Sequence, residues 1–194
     1  MAIRQIRKEG DEILSKKAKP VKEITPNIIA LLDDMKETLT AIDGVGLAAP
    51  QIGMLKRVAL VSHEDETYEL INPEVIETEG DQVCNEACLS VPGRSGDIKR
   101  PFKITVKALN REGEEYTVTV DDFMASVFCH ELDHLDGKLF LENATNIQFI
   151  TEEQLAERKR ERRQKARERA AAARGEVVET TNRSKKRLKR GKKA

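Results

Sequence analysis

Ile28, Leu32, Met35 and Leu39 recur at three- and four-residue intervals through "ITPNIIALLDDMKETLTAIDGVG", the spacing of one face of a helix. Thr25 suits the cap and Pro26 the first turn, while Asp43-Gly44 and Gly46 break the pattern. Four further runs, "KRVALVS", "TYELIN", "FKITVKAL" and "EYTVTV", are rich in β-formers with partial alternation, and "NREGEE" between the last two predicts a hairpin turn. A second helix is predicted after Asp121 or Asp122, either of which can cap it, with Gly137 placed to end it. Helices and strands are mixed rather than alternating, so the expected class is α+β, with a helix packed on antiparallel strands.

The pattern changes after Ile150. "TEEQ" has the form of a capping box, Thr151 with Gln154, and "LAERKRERRQKARERAAAARG" holds strong helix formers without an apolar stripe. A helix is expected to about residue 174, and a disordered basic end, "NRSKKRLKRGKKA", after it. The expected division is thus a body, 1–150, and a basic C-terminal extension, 151–194. Charge follows the same line. The formal net charge is zero, yet 1–150 holds 17 Lys+Arg against 27 Asp+Glu, and 151–194 holds 17 against 7. An acidic body fits a neutral or small substrate, and a basic tail fits a polyanion.

No apolar run approaches the roughly 18 residues of a membrane span, and "MAIRQIRKEGDEIL" lacks the apolar core of a secretory signal. Cys84, Cys88 and Cys129 are too few for a disulfide framework. A reduced, cytoplasmic setting is expected, where cysteine serves metals or catalysis.

Two of the three histidines fall in "SVFCHELDHLDG". On a helix, His130 and His134 lie on one face and can direct both imidazoles at one point. His-Glu-x-x-His is a pattern that holds zinc-like ions, with Glu131 beside the metal as a general base. A catalytic ion usually takes three protein ligands and leaves one position for water. Of the His or Glu that could follow the helix as a third ligand, only Glu142 is near; upstream, Cys88 in "CNEACLSVPG" would offer a soft thiolate suited to iron or zinc. Cys84 competes, because Cys84 and Cys88 with both histidines could close a four-ligand structural site.

"GVGLAAPQIG" (44–53), "EACLSVPG" (86–93) and "HELDHLDG" (130–137), in this order and spacing, resemble the three signature motifs of peptide deformylases. These enzymes remove the N-terminal formyl group from nascent bacterial proteins. The resemblance runs over about residues 2–150 and includes "INPEVIE" and "GKLFLE". It implies Cys88, His130 and His134 as metal ligands, with water in the fourth place and Glu131 as general acid/base. It also implies that Gln51 and the backbone N–H of Leu89 hold the carbonyl oxygen. The backbone of Gly46 would pair with the peptide, and Val45, Phe123 and Val127 would line the methionine pocket. Asp133 and Arg100 would form a supporting pair behind the metal helix. The ion implied is one divalent metal per chain, ferrous iron, with zinc, nickel or cobalt able to occupy the same ligands.

With the resemblance, the expected fold is mixed, mostly antiparallel sheets packed around a central metal-bearing helix, followed by the basic extension. The expected partners are formyl-methionyl nascent peptides and, through the tail 152–194, ribosomal RNA; a membrane is not among them. Two positions depart from the family pattern: Ala87 stands where glycine is usual and Cys129 where glutamine is usual. Two other readings use the same residues. A zincin-type endopeptidase would cleave internal bonds, and an inactive metal-binding adaptor for RNA would need neither Glu131 nor Gln51.

Overall fold

The computed structural model describes residues 2–63 and 66–151, then 153, 154, 156, 157, 160, 161 and 164. The chain divides into two units, Met1–Ile150 and Thr151–Ala194. The first contains an α+β fold of two antiparallel sheets and two α-helices. Strands β1 (Gly46–Ala48), β2 (Val58–His63), β3 (Glu66–Glu79), β6 (Lys103–Leu109) and β7 (Glu115–Asp121) form a five-stranded sheet in the order β1-β2-β3-β6-β7. Strands β4 (Gln82–Cys88), β5 (Val91–Arg100) and β8 (Thr145–Phe149) form the second sheet, in the order β4-β5-β8.

Helix α1 spans Pro26–Ala41 and buries Ile28, Leu31, Leu32, Met35 and Leu39, the stripe that the periodicity predicts. Thr25 occupies the N-cap position but makes no side-chain cap bond. The stripe packs against Leu47, Val58, Leu60 and Ile71 of the large sheet. Helix α2 (Asp122–Leu135) lays Ala125, Phe128, Leu132 and Leu135 against Ala59, Val61, Leu70, Ile104 and Val106. Neighbouring residues of β2 therefore face different helices: Val58 and Leu60 join the α1 cluster, Ala59 and Val61 the α2 cluster. A strand covered on both faces needs apolar side chains at successive positions, which is why "RVALV" is a continuous run rather than an alternation. β6, by contrast, alternates buried and half-buried positions along its length.

The predicted hairpin joins β6 to β7, with Gly113 at φ +83° and its N–H on the Asn110 carbonyl. α2 ends at Leu135, and Gly137 follows in the left-handed region that glycine enters at no steric cost. β4 and β5 are less visible in sequence. "VPGRSGDIKR" carries turn residues, yet it is a ten-residue strand because it pairs on both sides, with β4 and with β8. A third apolar cluster, Cys88, Val91, Ile98 and Phe140, lies under this small sheet. α2 contacts strands of both sheets, so its polar side is turned where the two sheets approach.

In the second unit, Thr151 and Gln154 make the reciprocal capping bonds, N–H to Oε1 at 2.9 Å and N–H to Oγ1 at 3.2 Å. The expected helix end near 174 and the expected disorder after it lie outside the described residues. No described helix is long and apolar enough to cross a membrane.

Candidate metal centre

His130 and His134 stand on successive turns of α2 with ring centroids 4.9 Å apart and planes at 88°. Cys88 ends β4, where the register slips between Ala87 and Cys88 and the chain turns into β5. That turn brings Sγ to 3.2 Å from Nε2 of His134. One ligand atom from each of the three residues lies within 4.8 Å of the others. Ligand distances of about 2.3 Å to sulfur and 2.0–2.1 Å to nitrogen imply roughly 3.3–3.6 Å between tetrahedral ligand atoms. The Cys88–His134 separation of 3.2 Å is close to that spacing, and one sulfur with two imidazole nitrogens is a donor set suited to a single zinc-like or ferrous ion. Among the described residues the metal-competent group comprises these three. Cys84 and Glu142 are outside it.

The electrostatics match that use. Burial pushes the Cys88 thiol up, but the imidazoles of His134 and His130 outweigh it and hold the group well below its ordinary range, as thiolate. The Ser90 N–H donates to Sγ at 3.4 Å, and the amide of Gln51 approaches it at 3.7 Å. Gln51 is itself fixed: its Oε1 accepts the Ala48 N–H at 2.8 Å, and Nε2 reaches the Ser90 hydroxyl at 3.3 Å. Its two donor hydrogens thus border the cysteine.

His130 is oriented by a residue that sequence alone does not single out. Glu86, two positions before Cys88, accepts from Nδ1 at 2.8 Å, which leaves Nε2 for an ion. Ser126 donates to the same carboxylate at 2.9 Å. Arg100 forks onto Glu86 at 2.7 and 3.0 Å and reaches Asp133 at 2.7 Å. Burial would raise the Glu86 carboxyl, but its bonds to His130 and Arg100 prevail and hold it at about 2. Glu86 therefore carries full negative charge beside the imidazole. Arg100 and Asp133 do meet, but they meet around Glu86. In sequence Glu86 shows only as the first residue of "EACLSVPG"; the structure places it on an inward position of the strand that ends in Cys88. His134 Nδ1 is buried and has no hydrogen-bond partner among the described residues.

Glu131 is 3 % exposed, and its Oε2 has no hydrogen-bond partner among the described residues. Burial pushes this carboxyl up, to about 7, which places it among groups able to exchange protons near neutral pH. It packs directly on Gly46 of β1. A Cβ at 46 would lie 2.3 Å from Glu131 Oε1 and 2.7 Å from Cδ, closer than any real contact. Gly46→Ala should therefore push the carboxylate aside. The expected result is a fall in turnover of about 10–100-fold, since misplacement by an ångström has that scale. Bound metal should be retained, and elemental analysis beside a rate assay checks both.

The remaining predicted residues are spread more widely. Val45 accepts the Ser62 N–H at 2.7 Å, beside Gly46. Val127 is half-buried against the α2 cluster, so it serves the core at least in part. Phe123 is 39 % exposed and meets His63 edge-on, with centroids 5.6 Å apart. A cavity of about 340 Å³ next to that contact is lined by His63, Glu66, Tyr68, Val120, Asp121 and Met124, and none of the predicted site residues borders it. Leu89 is half-buried on the turn after Cys88, with its carbonyl accepting from Lys8 at 2.8 Å. Ala87 is exposed opposite Ser95 on β5. Burial lifts the Cys129 thiol to about 11, so it stays protonated and apolar in behaviour.

A thiolate and two imidazoles around one point, with a buried glutamate beside them, define a metallohydrolase-type site on an α+β frame. Residues 3–149 match the Polypeptide deformylase family. A peptide deformylase of Acetivibrio thermocellus is 53 % identical over 163 residues, covering 84 % of this chain and 95 % of that one. One of Thermoanaerobacter pseudethanolicus is 51 % identical over 154 residues, covering 79 % and 96 %. The crystal structure of peptide deformylase from Thermotoga maritima superposes with a TM-score of 0.72 at 37 % identity, over 75 % of this chain and 99 % of that one. A Synechococcus elongatus peptide deformylase in complex with actinonin gives 0.72 at 30 % identity, over 92 % and 89 %. The chain belongs to the polypeptide deformylase family.

Proposed function

We propose that the protein hydrolyses the formyl group from formyl-methionine at the start of nascent polypeptides, yielding formate and a free amino terminus. The observation that carries the reading is the meeting of Cys88, His130 and His134 with buried Glu131 beside them in a chain of this family. Cys88, His130 and His134 hold one divalent ion, ferrous iron in the cell, with zinc, nickel or cobalt accepted by the same donors. When bound, such an ion acts as a Lewis acid and lowers the pKa of water towards about 7.

A formamide is a planar amide with a poor leaving group. The protein must therefore take a proton from water, stabilise charge on the carbonyl oxygen, and return a proton to nitrogen. Glu131 accepts the proton of the attacking water and delivers it to the departing amine as the C–N bond breaks. The Gln51 amide and the Leu89 N–H hold the oxygen as it gains charge; one such donor is worth about 2.7–4 kcal/mol. Glu86, held by Arg100 and Asp133, keeps His130 in one tautomer and one orientation. The peptide pairs with the backbone at Gly46, and its methionine side chain lies against Val45, Phe123 and Val127. Formyl is the smallest acyl group, so a tight space at this centre favours it over acetyl.

Formate release from a formyl-Met peptide by anaerobically purified protein tests the reading, alongside cleavage of an internal peptide bond. Formate without internal cleavage is the expected result; the reverse would make the protein an endopeptidase, and neither would leave an inactive metal-binding domain. The tail 152–194 carries the proposal of docking on ribosomal RNA in the cytoplasm, supported by its excess of Lys and Arg. It contains no aromatic residue, so contacts to phosphates rather than to bases are expected. Deleting 151–194 should abolish co-sedimentation with ribosomes at low salt; unchanged co-sedimentation would end that part of the account.

A further inference from the structure

Residues 2–9 belong to neither helix nor strand, yet they are tied down along their length. At one end the Ala2 N–H donates to Asp34 at 2.7 Å, and the Arg4 N–H donates to the Thr38 hydroxyl at 2.9 Å. At the other end Asp11 caps a short turn through the Ile13 N–H at 3.1 Å. Between these anchors the segment crosses the two loops that flank the candidate centre. The Arg7 N–H donates to the Gln51 carbonyl at 2.7 Å, and the Glu9 N–H to the Ser90 carbonyl at 2.8 Å. The Lys8 ammonium reaches the Leu89 carbonyl at 2.8 Å, and Glu9 pairs with Arg94 of β5.

The three residues on the receiving side are not arbitrary. Gln51 and Leu89 are the two proposed oxyanion donors, and Ser90 touches both the Gln51 amide and the Cys88 sulfur. The two donors come from separate parts of the chain, 38 residues apart, and no β-ladder joins β1 or the turn after it to β4. Arg7 and Glu9 are two residues apart, and the Asp11 N–H on the Lys8 carbonyl at 3.0 Å closes a turn that fixes the chain just after them. Binding one carbonyl from each loop, they hold the loops at a distance fixed by two residues of backbone.

Resting on the deformylase reading above, we infer that Arg7–Glu9 is a positioning brace that sets the spacing of the two oxyanion donors, Gln51 and Leu89. It acts through these two loops. Preorganised donors act only when they already stand where charge develops, and an error of about 1 Å can cost 10²-fold in rate. The brace should therefore act on turnover more than on binding.

Inserting one glycine between Lys8 and Glu9 tests this, because Arg7 and Glu9 can then no longer meet both carbonyls in register while the outer anchors remain. The expected result is a fall in kcat of about tenfold or more. KM for a formyl-Met peptide, bound metal and Tm should stay near the parent's, and amide hydrogen exchange should rise over 86–92. Lys8→Ala should lower kcat by a few-fold, and Lys8→Arg, which keeps the donor, should restore it. Parent-like kcat and exchange in the insertion variant would overturn the inference, as would a loss of rate matched by loss of metal or Tm. Should the insertion variant not fold, parent-like kcat in Lys8→Ala would overturn it alone. A parent that releases no formate would instead count against the deformylase reading itself.

Discussion

Cys88→Ala should leave the protein folded, unable to keep its ion, and without hydrolytic activity. The substitution removes the only sulfur among the three converging ligand atoms and leaves two imidazoles. Loss of a group that merely supports a ligand already costs about 10–100-fold in metal affinity, so loss of a ligand should exceed about 100-fold. The side chain is 7 % exposed and packs with Val91, Ile98 and Phe140, but only one sulfur atom is deleted, so the cluster should survive. Elemental analysis after anaerobic purification, read beside the thermal midpoint, separates the two effects. Full metal occupancy in the folded variant would contradict the ligand assignment.

Glu131→Gln should give the opposite pattern: an intact ion and almost no turnover. Glutamine has nearly the same size and can occupy the space over Gly46, where no added atom is tolerated. It cannot carry a proton from water to the leaving nitrogen. General acid–base groups contribute about 10²–10⁴-fold, and the loss is expected within that range. Because the burial that raises the Glu131 carboxyl to about 7 is no obstacle for a neutral amide, the variant should be at least as stable as the parent. Equal deformylation rates in variant and parent would remove Glu131 from the mechanism; loss of the ion would mean that the residue holds metal rather than protons.

The contrast between these two residues shows how the site could be read before the fold. His130, Glu131 and His134 are local: a four-residue step on a helix fixes their relation, so the pattern alone suggests a metal pair with a base beside it. Cys88 is 42 residues from His130 in sequence and reaches it only because β4 ends at the polar side of α2. Periodicity cannot supply that meeting, and Cys84 stood beside Cys88 as a member of a competing four-ligand structural site. The resemblance to a family supplied the choice. Glu86 shows the same limit from the other side. An acid on a strand is ordinary in sequence, and its role emerges only when Ser126, His130 and Arg100 are seen to share one carboxylate.

Among the elements, α1 and the β6–β7 hairpin were plain because each has one solvent side, which writes a period into the sequence. β5 was obscure because Pro92, Gly93, Ser95 and Gly96 are tolerated inside it. Gly93 takes φ +73°, and a Cβ at Gly96 would lie 2.9 Å from that of Ala144, so both glycines are needed where β8 crosses. The brace at Arg7–Glu9 was invisible for a related reason: the two contacts that set its register run from backbone to backbone, and those leave no mark on residue type.

X-ray absorption at the metal edge of the anaerobically purified protein tests the shared basis of these expectations most directly. One ion per chain, with one sulfur and two nitrogens from the protein in its first shell, is the predicted result. A shell with two sulfurs, with none, or with four protein ligands would contradict it.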